Sequence, residues 1–196
     1  MSLSLASRTS RFSSDAPLSR RDITKNSRVY ARSSHSLPVH ERAAMASSGT
    51  ERRIARFVGK YSPEMVAPIK AARAAMRSFF PQGFELVYDN YNALVFGFAP
   101  TERASDAVAS IAAYPRWITL FFLRGVDLPD PENLLEGDGS TVRSIRLESP
   151  GDLQLPSVKA LLDHVVAAHA GAFAAAPRLI TVIKSISAKQ RARRPS

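Results

Sequence analysis

The sequence predicts an α+β fold, an antiparallel sheet of about four to five strands with helices packed on it. Three observations carry that prediction. Apolar residues follow a helical period at the start and near the end of the core, and a strand period between. The strand-like stretches are joined by short links, which favours antiparallel neighbours over crossovers. Hydrophobic residues make up 45% of 196, enough for one core of ordinary size. The predicted order is α-α-β-β-α-β-β-α.

Glu51 to Val58 places Ile54, Phe57 and Val58 on one face of a short helix. Ser62-Pro63-Glu64 opens a second. It supplies a cap residue, a first-turn proline whose missing N–H costs nothing there, and an acid favoured by the helix dipole. Met65, Ile69, Ala72, Met76, Phe79 and Phe80 hold one face of this helix to the Pro81-Gln82-Gly83 stop; Lys70, Arg73 and Arg77 form a solvated stripe opposite. Pro68 predicts a kink or a late start.

The period then changes. Phe84 to Tyr88 and Ala93 to Ala99 read as strands, joined by Asp89-Asn90-Tyr91-Asn92, which has hairpin-turn chemistry. Ala104 to Ala113 reads as a short helix. Arg116 to Leu123 is the strongest strand and ends at Gly125. Asp127 to Gly139 is an acidic, proline-bearing loop with one helical turn at Pro131 to Leu135, and Thr141 to Leu147 is the fourth strand. After Pro150-Gly151, Pro156 to Ala172 is a helix with Val158, Leu161, Leu162, Val165, Val166 and His169 on one face. Leu179 to Ile183 fits either a short edge strand or a helix extension. Ala93 to Ala99 and Arg116 to Leu123 are apolar on both pleat faces. Either both faces are covered, or one lines a pocket or a homodimer contact.

Charge is unevenly placed. The 27 Lys+Arg against 17 Asp+Glu give a net +10. Residues 1–50 hold 13 of the 24 serines and carry eight basic and three acidic residues, 8 − 3 = +5. Residues 184–196 carry Lys184, Lys189, Arg191, Arg193 and Arg194 with no acid, again +5. Residues 51–183 balance at 14 of each sign. The expected organisation is a disordered Ser/Arg-rich tail at 1–50, a globular domain at 51–183 and a basic tail at 184–196. A nucleic-acid reading therefore attaches to the tails rather than to the core. The leader resembles an organellar transit peptide, and Met45 offers an alternative start. No apolar run approaches the ~20 residues that span a bilayer, which excludes an integral membrane protein.

Several chemistries are absent from the sequence. Without cysteine there is no disulfide framework, thiol nucleophile or thiolate metal site. No phosphate-cradling glycine loop, dinucleotide fingerprint or G-x-S-x-G elbow occurs. Gly137-Asp138-Gly139-Ser140 reads as a tight turn. His164 and His169, five apart on one helix, lie about 140° from each other and do not share a metal. Two candidate sites remain. Asp127, Asp130, Glu132, Glu136 and Asp138 offer oxygen ligands to a hard cation or, alternatively, form a solvated loop. Eleven of the sixteen aromatics fall between Phe79 and Phe122. Among these Tyr88, Tyr91, Phe96, Trp117 and Phe122, with Arg143 and Arg146, either line a groove for a small or anionic ligand or serve core packing. No residue takes a catalytic role, which favours a binding module over an enzyme.

The Ser62-Pro63-Glu64 helix, the hairpin from Tyr88 to Phe98, the strand Trp117 to Leu123, the segment Gly139-Ser140-Thr141-Val142-Arg143-Ser144-Ile145-Arg146-Leu147 and the closing helix together resemble the YdhG-like family of domains of unknown function. The similarity covers roughly residues 55–172, and Val182 to Pro195 looks like the tail of a bacterial subgroup. Val87-Tyr88-Asp89-Asn90 stands where the family has a Trp-Gly-x-Pro-like signature. The resemblance implies a small cytoplasmic α+β domain; the doubly apolar strands and the strand arginines suggest that its aromatic sheet face binds a small ligand or protein partner. For one branch the resemblance implies a frataxin-like iron-chaperone role, which would fall here to the acidic loop. No cofactor other than iron is implied.

Overall fold

The computed structural model describes residues 38–194. The chain divides into two compact units, Met1–Arg42 and Ala43–Ser196. Most of the expected Ser/Arg-rich tail, residues 1–37, lies outside the described residues. Helix α1 (Val39–Val58) begins well ahead of Glu51, and α2 (Pro63–Phe79) follows Ser62 with Pro63 in its first turn. Pro68 stays inside α2 because the bond it forfeits, to Glu64, lies at the helix start. The strands are β1 (Phe84–Asp89), β2 (Leu94–Ala99), β3 (Ala109–Ala113), β4 (Ile118–Phe122), β5 (Arg143–Leu147) and β6 (Ile180–Ile186). Helices α3 (Pro156–Ala168) and α4 (Ala170–Ala174) precede β6.

The α+β class holds, with a sheet of six strands in the order β5-β4-β3-β2-β1-β6. It is mixed rather than antiparallel, since β6 runs parallel to β1 while the other four pairings are antiparallel. One expectation fails because long-range pairing overrides local propensity. The helix expected over Ala104 to Ala113 is a short 3₁₀ turn (Ala104–Asp106) followed by β3. Ala109, Ile111 and Ala113 alternate into the core between β2 and β4, a use that alanine-rich composition conceals. Of the two alternatives for Leu179 to Ile183, the edge strand holds, with β6 running from Ile180. A register shift there sets Ile183 against Val87 and Ser185 against Tyr88, leaving Lys184 unmatched. A bulged, lysine-bearing edge resists pairing with other chains.

The opposite edge is also covered, because Glu136 bridges Ser144 of β5. The helical turn expected at Pro131 to Leu135 is absent. Instead both carboxylate oxygens of Asp130 accept the backbone N–H groups of Leu134 and Leu135 (2.9 and 2.8 Å) around Asn133, whose φ is 53°.

The helices bury Ile54, Ile69, Met76, Leu162 and Val165 against Val87, Phe96, Ile111, Leu120 and Phe122. On β1 this choice of face is unexpected. Phe84, Leu86 and Tyr88 point away from the helix layer, and Glu85, Val87 and Asp89 point into it. Both acids are almost wholly buried, at 0% and 1% exposed. The solvated stripe expected on α2 is therefore partly internal. Arg73 donates to both oxygens of Glu85 (2.7 Å each) and to both of Glu51 (2.7 and 2.8 Å). Arg77 and Thr181 also donate to Glu85. Burial works against the charge on Arg73, but its hydrogen bonds to Glu51 and Glu85 prevail and raise its pKa; the same bonds lower that of Glu51.

Gly83 enters β1 at φ 95°, and a β-carbon there would run into the Ala99 carbonyl and lie 2.9 Å from the Phe173 ring. No helix of the described residues is long and apolar enough to cross a membrane.

Candidate functional site

The β3–β4 turn is Tyr114-Pro115-Arg116-Trp117, closed by Tyr114 N–H donating to the Trp117 carbonyl at 2.9 Å. Proline suits such a turn because its φ is already set. The turn stacks the Tyr114 and Trp117 rings with centroids 5.1 Å apart and planes 23° from parallel. Arg146 on β5 places its guanidinium 4.8 Å from the Trp117 centroid. That is cation–π distance, and it leaves the arginine charge without a carboxylate partner.

The last residues supply the rest of the site. The basic tail expected over 184–196 is, over residues 184–194, folded onto the domain. Ser187 N–H and Gln190 Nε2 donate to the Asp89 carbonyl at 2.9 and 3.1 Å, and Arg191 N–H donates to the Tyr91 carbonyl at 2.7 Å. Arg193 is 3% exposed. Its Nη2 reaches the Asn90 carbonyl at 2.5 Å and the Asp89 carboxylate at 3.3 Å, and its guanidinium lies 5.5 Å from the Tyr61 ring. Lys60 donates to the other Asp89 oxygen at 2.5 Å and to Gln190 at 2.6 Å. Arg194 donates to the carbonyls of Tyr61 and Gly59 at 3.2 Å each. Asp89 is the internal peg on which the chain end hangs. Beneath it, the Tyr61 hydroxyl donates to the Ala113 carbonyl at 2.6 Å and accepts Leu94 N–H at 3.0 Å. Burial pushes the Tyr61 hydroxyl up to about 12, although Arg193 pulls the other way.

These two constructions meet at a cleft of about 490 Å³ lined by Asn92, Tyr114, Arg116, Trp117, Arg191 and Arg194. Across Arg116 and Trp117 lies a second hollow of about 220 Å³, bordered by Pro68, Ile118, Arg146 and Glu148. Four guanidinium groups thus flank one half-buried aromatic stack, and Glu148 is the sole carboxylate among the residues that line the two hollows. None of the four arginines pairs with a carboxylate among the described residues.

Of the seven residues expected to form an aromatic groove, only Trp117 and Arg146 come together. Phe96 and Phe122 are fully buried beneath the helices. Tyr88 lies on the other sheet face, where burial raises its hydroxyl pKa, and Tyr91 stands exposed on the β1–β2 hairpin. Arg143 turns back to the carbonyls of Gly139 and Val142 at 2.5 and 2.8 Å. The pleat sets Phe96 and Phe122 on the helix-covered face, opposite Trp117 and Arg146. Tyr88 shares the outer face but lies on β1, separated from β4 by β2 and β3. Tyr114 and Arg116 escaped the sequence reading, whereas Arg191 and Arg194 belong to the basic tail to which the nucleic-acid reading attached. Tyr114-Pro115-Arg116-Trp117 reads as a hairpin turn once Ala109 to Ala113 is a strand; nothing local signals that the tail arginines fold beside Trp117.

The acidic loop does not gather. Asp127 pairs with Arg124 at 3.3 Å, Asp130 caps backbone N–H groups, and Glu136 enters a backbone bridge. Among the described residues no three His, Asp or Glu side chains, those of Asp127, Asp130, Glu132, Glu136 and Asp138 included, are grouped closely enough to hold a metal ion.

The largest cleft, about 770 Å³, lies over Val108, Phe122 and Val165 with His164 and His169 at its wall. Its charged side chains are partnered. Arg124 holds Asp127, and Asp106 accepts from Thr101 and Arg103, contacts that lower its pKa. His169 Nδ1 lies 2.9 Å from the Val165 carbonyl. Volume favours this cleft, but unpartnered charge favours the arginine–aromatic one. Charge and ring chemistry are what select a ligand, so the smaller cleft is the candidate site. Compared with family models, curated proteins and solved structures, the chain matches none.

Proposed function

We propose that this chain is a binding module, not an enzyme, for a ligand that joins a flat ring to a phosphate-like anion. The observation that carries this reading is the stacked Tyr114–Trp117 pair ringed by Arg116, Arg146, Arg191 and Arg194 without carboxylate partners. A ring can continue the stack, and guanidinium forks suit phosphate oxygens. Membership of the YdhG-like family, suggested by the Gly139 to Leu147 segment, and a cytoplasmic setting are part of the same proposal.

Trp117 is the chain's only tryptophan, so its fluorescence reports directly on the site. Titration with adenosine 5′-monophosphate should quench it saturably, with adenosine or inorganic phosphate alone markedly weaker. Arg116→Ala and Arg191→Ala should each weaken the response. An unchanged signal with nucleotide into the millimolar range removes the reading.

A further inference from the structure

We infer that the ligand of this cleft is a single-stranded nucleic acid rather than a free nucleotide, an inference that rests on the binding reading above. The site is a track rather than a pocket. Arg116 and Trp117 belong to both hollows, the 490 Å³ one toward Arg191 and Arg194 and the 220 Å³ one toward Arg146. A mononucleotide placed on one side leaves the guanidinium on the other side unmatched. A strand running past Trp117 meets positive charge before and after the aromatic stack.

The chemistry also selects single strands over duplexes. Stacking on the Tyr114–Trp117 pair needs a base free of its own neighbours, which a paired helix withholds. The site offers few groups for reading base edges, Asn92 being the uncharged amide at its wall. Sequence preference should therefore be slight, as expected where rings and backbone charge dominate. The charge itself comes from two places far apart in sequence. Arg116 and Arg146 lie in the part of the chain whose net charge is zero, while Arg191 and Arg194 come from the basic end. Folding combines them into one basic strip that neither segment has alone.

The test measures anisotropy of dye-labelled oligothymidylates of one, two, four and eight nucleotides on the full chain, with an eight-base-pair duplex and an oligoglutamate peptide as competitors. Affinity should rise on the order of tenfold between one and four nucleotides, the scale of one added stack and its phosphates. Neither competitor should displace the octamer at matched charge. The log–log salt slope should fall by about 0.7 for each of Arg116→Ala, Arg146→Ala and Arg191→Ala. Unchanged thermal melts show that these exposed variants remain folded. Equal affinity for one and eight nucleotides overturns the inference while leaving the ring-and-anion reading intact. So does displacement by duplex or by oligoglutamate at equal charge. Failure of every nucleotide and oligonucleotide to bind overturns the reading itself.

Discussion

Two groups of arginines in this domain have opposite surroundings. Arg73 and Arg77, on α2, point at a carboxylate with no exposure to water, and Arg73 is gripped by Glu51 as well. Arg116, Arg146, Arg191 and Arg194 surround half-buried rings and pair with no carboxylate among the described residues. Composition does not distinguish the groups, and in sequence the α2 pair looks the more solvated. The difference lies in what the opposing strand presents. Glu85 and Asp89 on the inner face of β1 draw cations inward, because a buried carboxylate without partners is prohibitively costly. The β3–β4 turn presents rings instead, and rings tolerate a cation without neutralising it. The first group holds the fold, and the second is left with charge to offer a ligand.

The sharpest way to break this comparison is at Glu85. Glu85→Ala strands Arg73, Arg77 and Thr181 around a void in the core. It should destabilise the domain by about 3–5 kcal/mol, measured by urea denaturation. A loss under about 1 kcal/mol would mean that the network is ornamental and the contrast false. Asp89→Asn should cost less, about 2–3 kcal/mol, because the amide still accepts one bond and Lys60 is partly solvated. Its distinctive consequence is local. Backbone amides from Ser187 to Arg194 should exchange faster than those of β2, and oligonucleotide affinity should fall although Asp89 does not line the cleft.

Tyr61 joins the two regions, and its prediction is smaller. Tyr61→Phe leaves the Ala113 carbonyl and Leu94 N–H without their buried partner, a loss of about 1–3 kcal/mol at neutral pH. It also changes the alkaline limb. With the folded hydroxyl pushed up to about 12 against the ordinary 10, the unfolded chain releases its proton first. Tyr61 therefore contributes stability that is complete below pH 10 and is lost as pH rises toward 12. Stability measured across that window should fall less steeply for Tyr61→Phe than for the parent.

Much of the frame is legible in the sequence, and the reasons for the gaps are specific. The apolar faces of α2 and α3 repeat at helical spacing, so Met65 to Met76 and Val158 to Val165 read correctly as core. Strand β3 does not read, because Ala-Ser-Ile-Ala-Ala has weak preferences that pairing with β2 and β4 decides. On β1 the alternation misleads. Phe84, Leu86 and Tyr88 form the more apolar face, yet the helices choose Glu85, Val87 and Asp89 because Arg73, Lys60 and Arg193 are there to meet the acids. The site is hidden for the same reason. Arg193 is anchored by a residue 104 positions earlier, a separation that no local pattern encodes.

The smallest expected effect on stability bears most directly on function. Arg116→Ala and Arg191→Ala remove exposed side chains that pair with no carboxylate among the described residues. Each should change unfolding free energy by no more than about 0.5 kcal/mol, as surface substitutions generally do. Arg73→Ala, by contrast, should destabilise strongly by leaving Glu85 with one arginine. A measurable gain in stability for Arg116→Ala or Arg191→Ala would sharpen the comparison further. Like charges held together around Trp117 repel, so relief on removing one is what a site kept for a ligand predicts. A stability loss near 2 kcal/mol would instead place these arginines with Arg73, as parts of the scaffold.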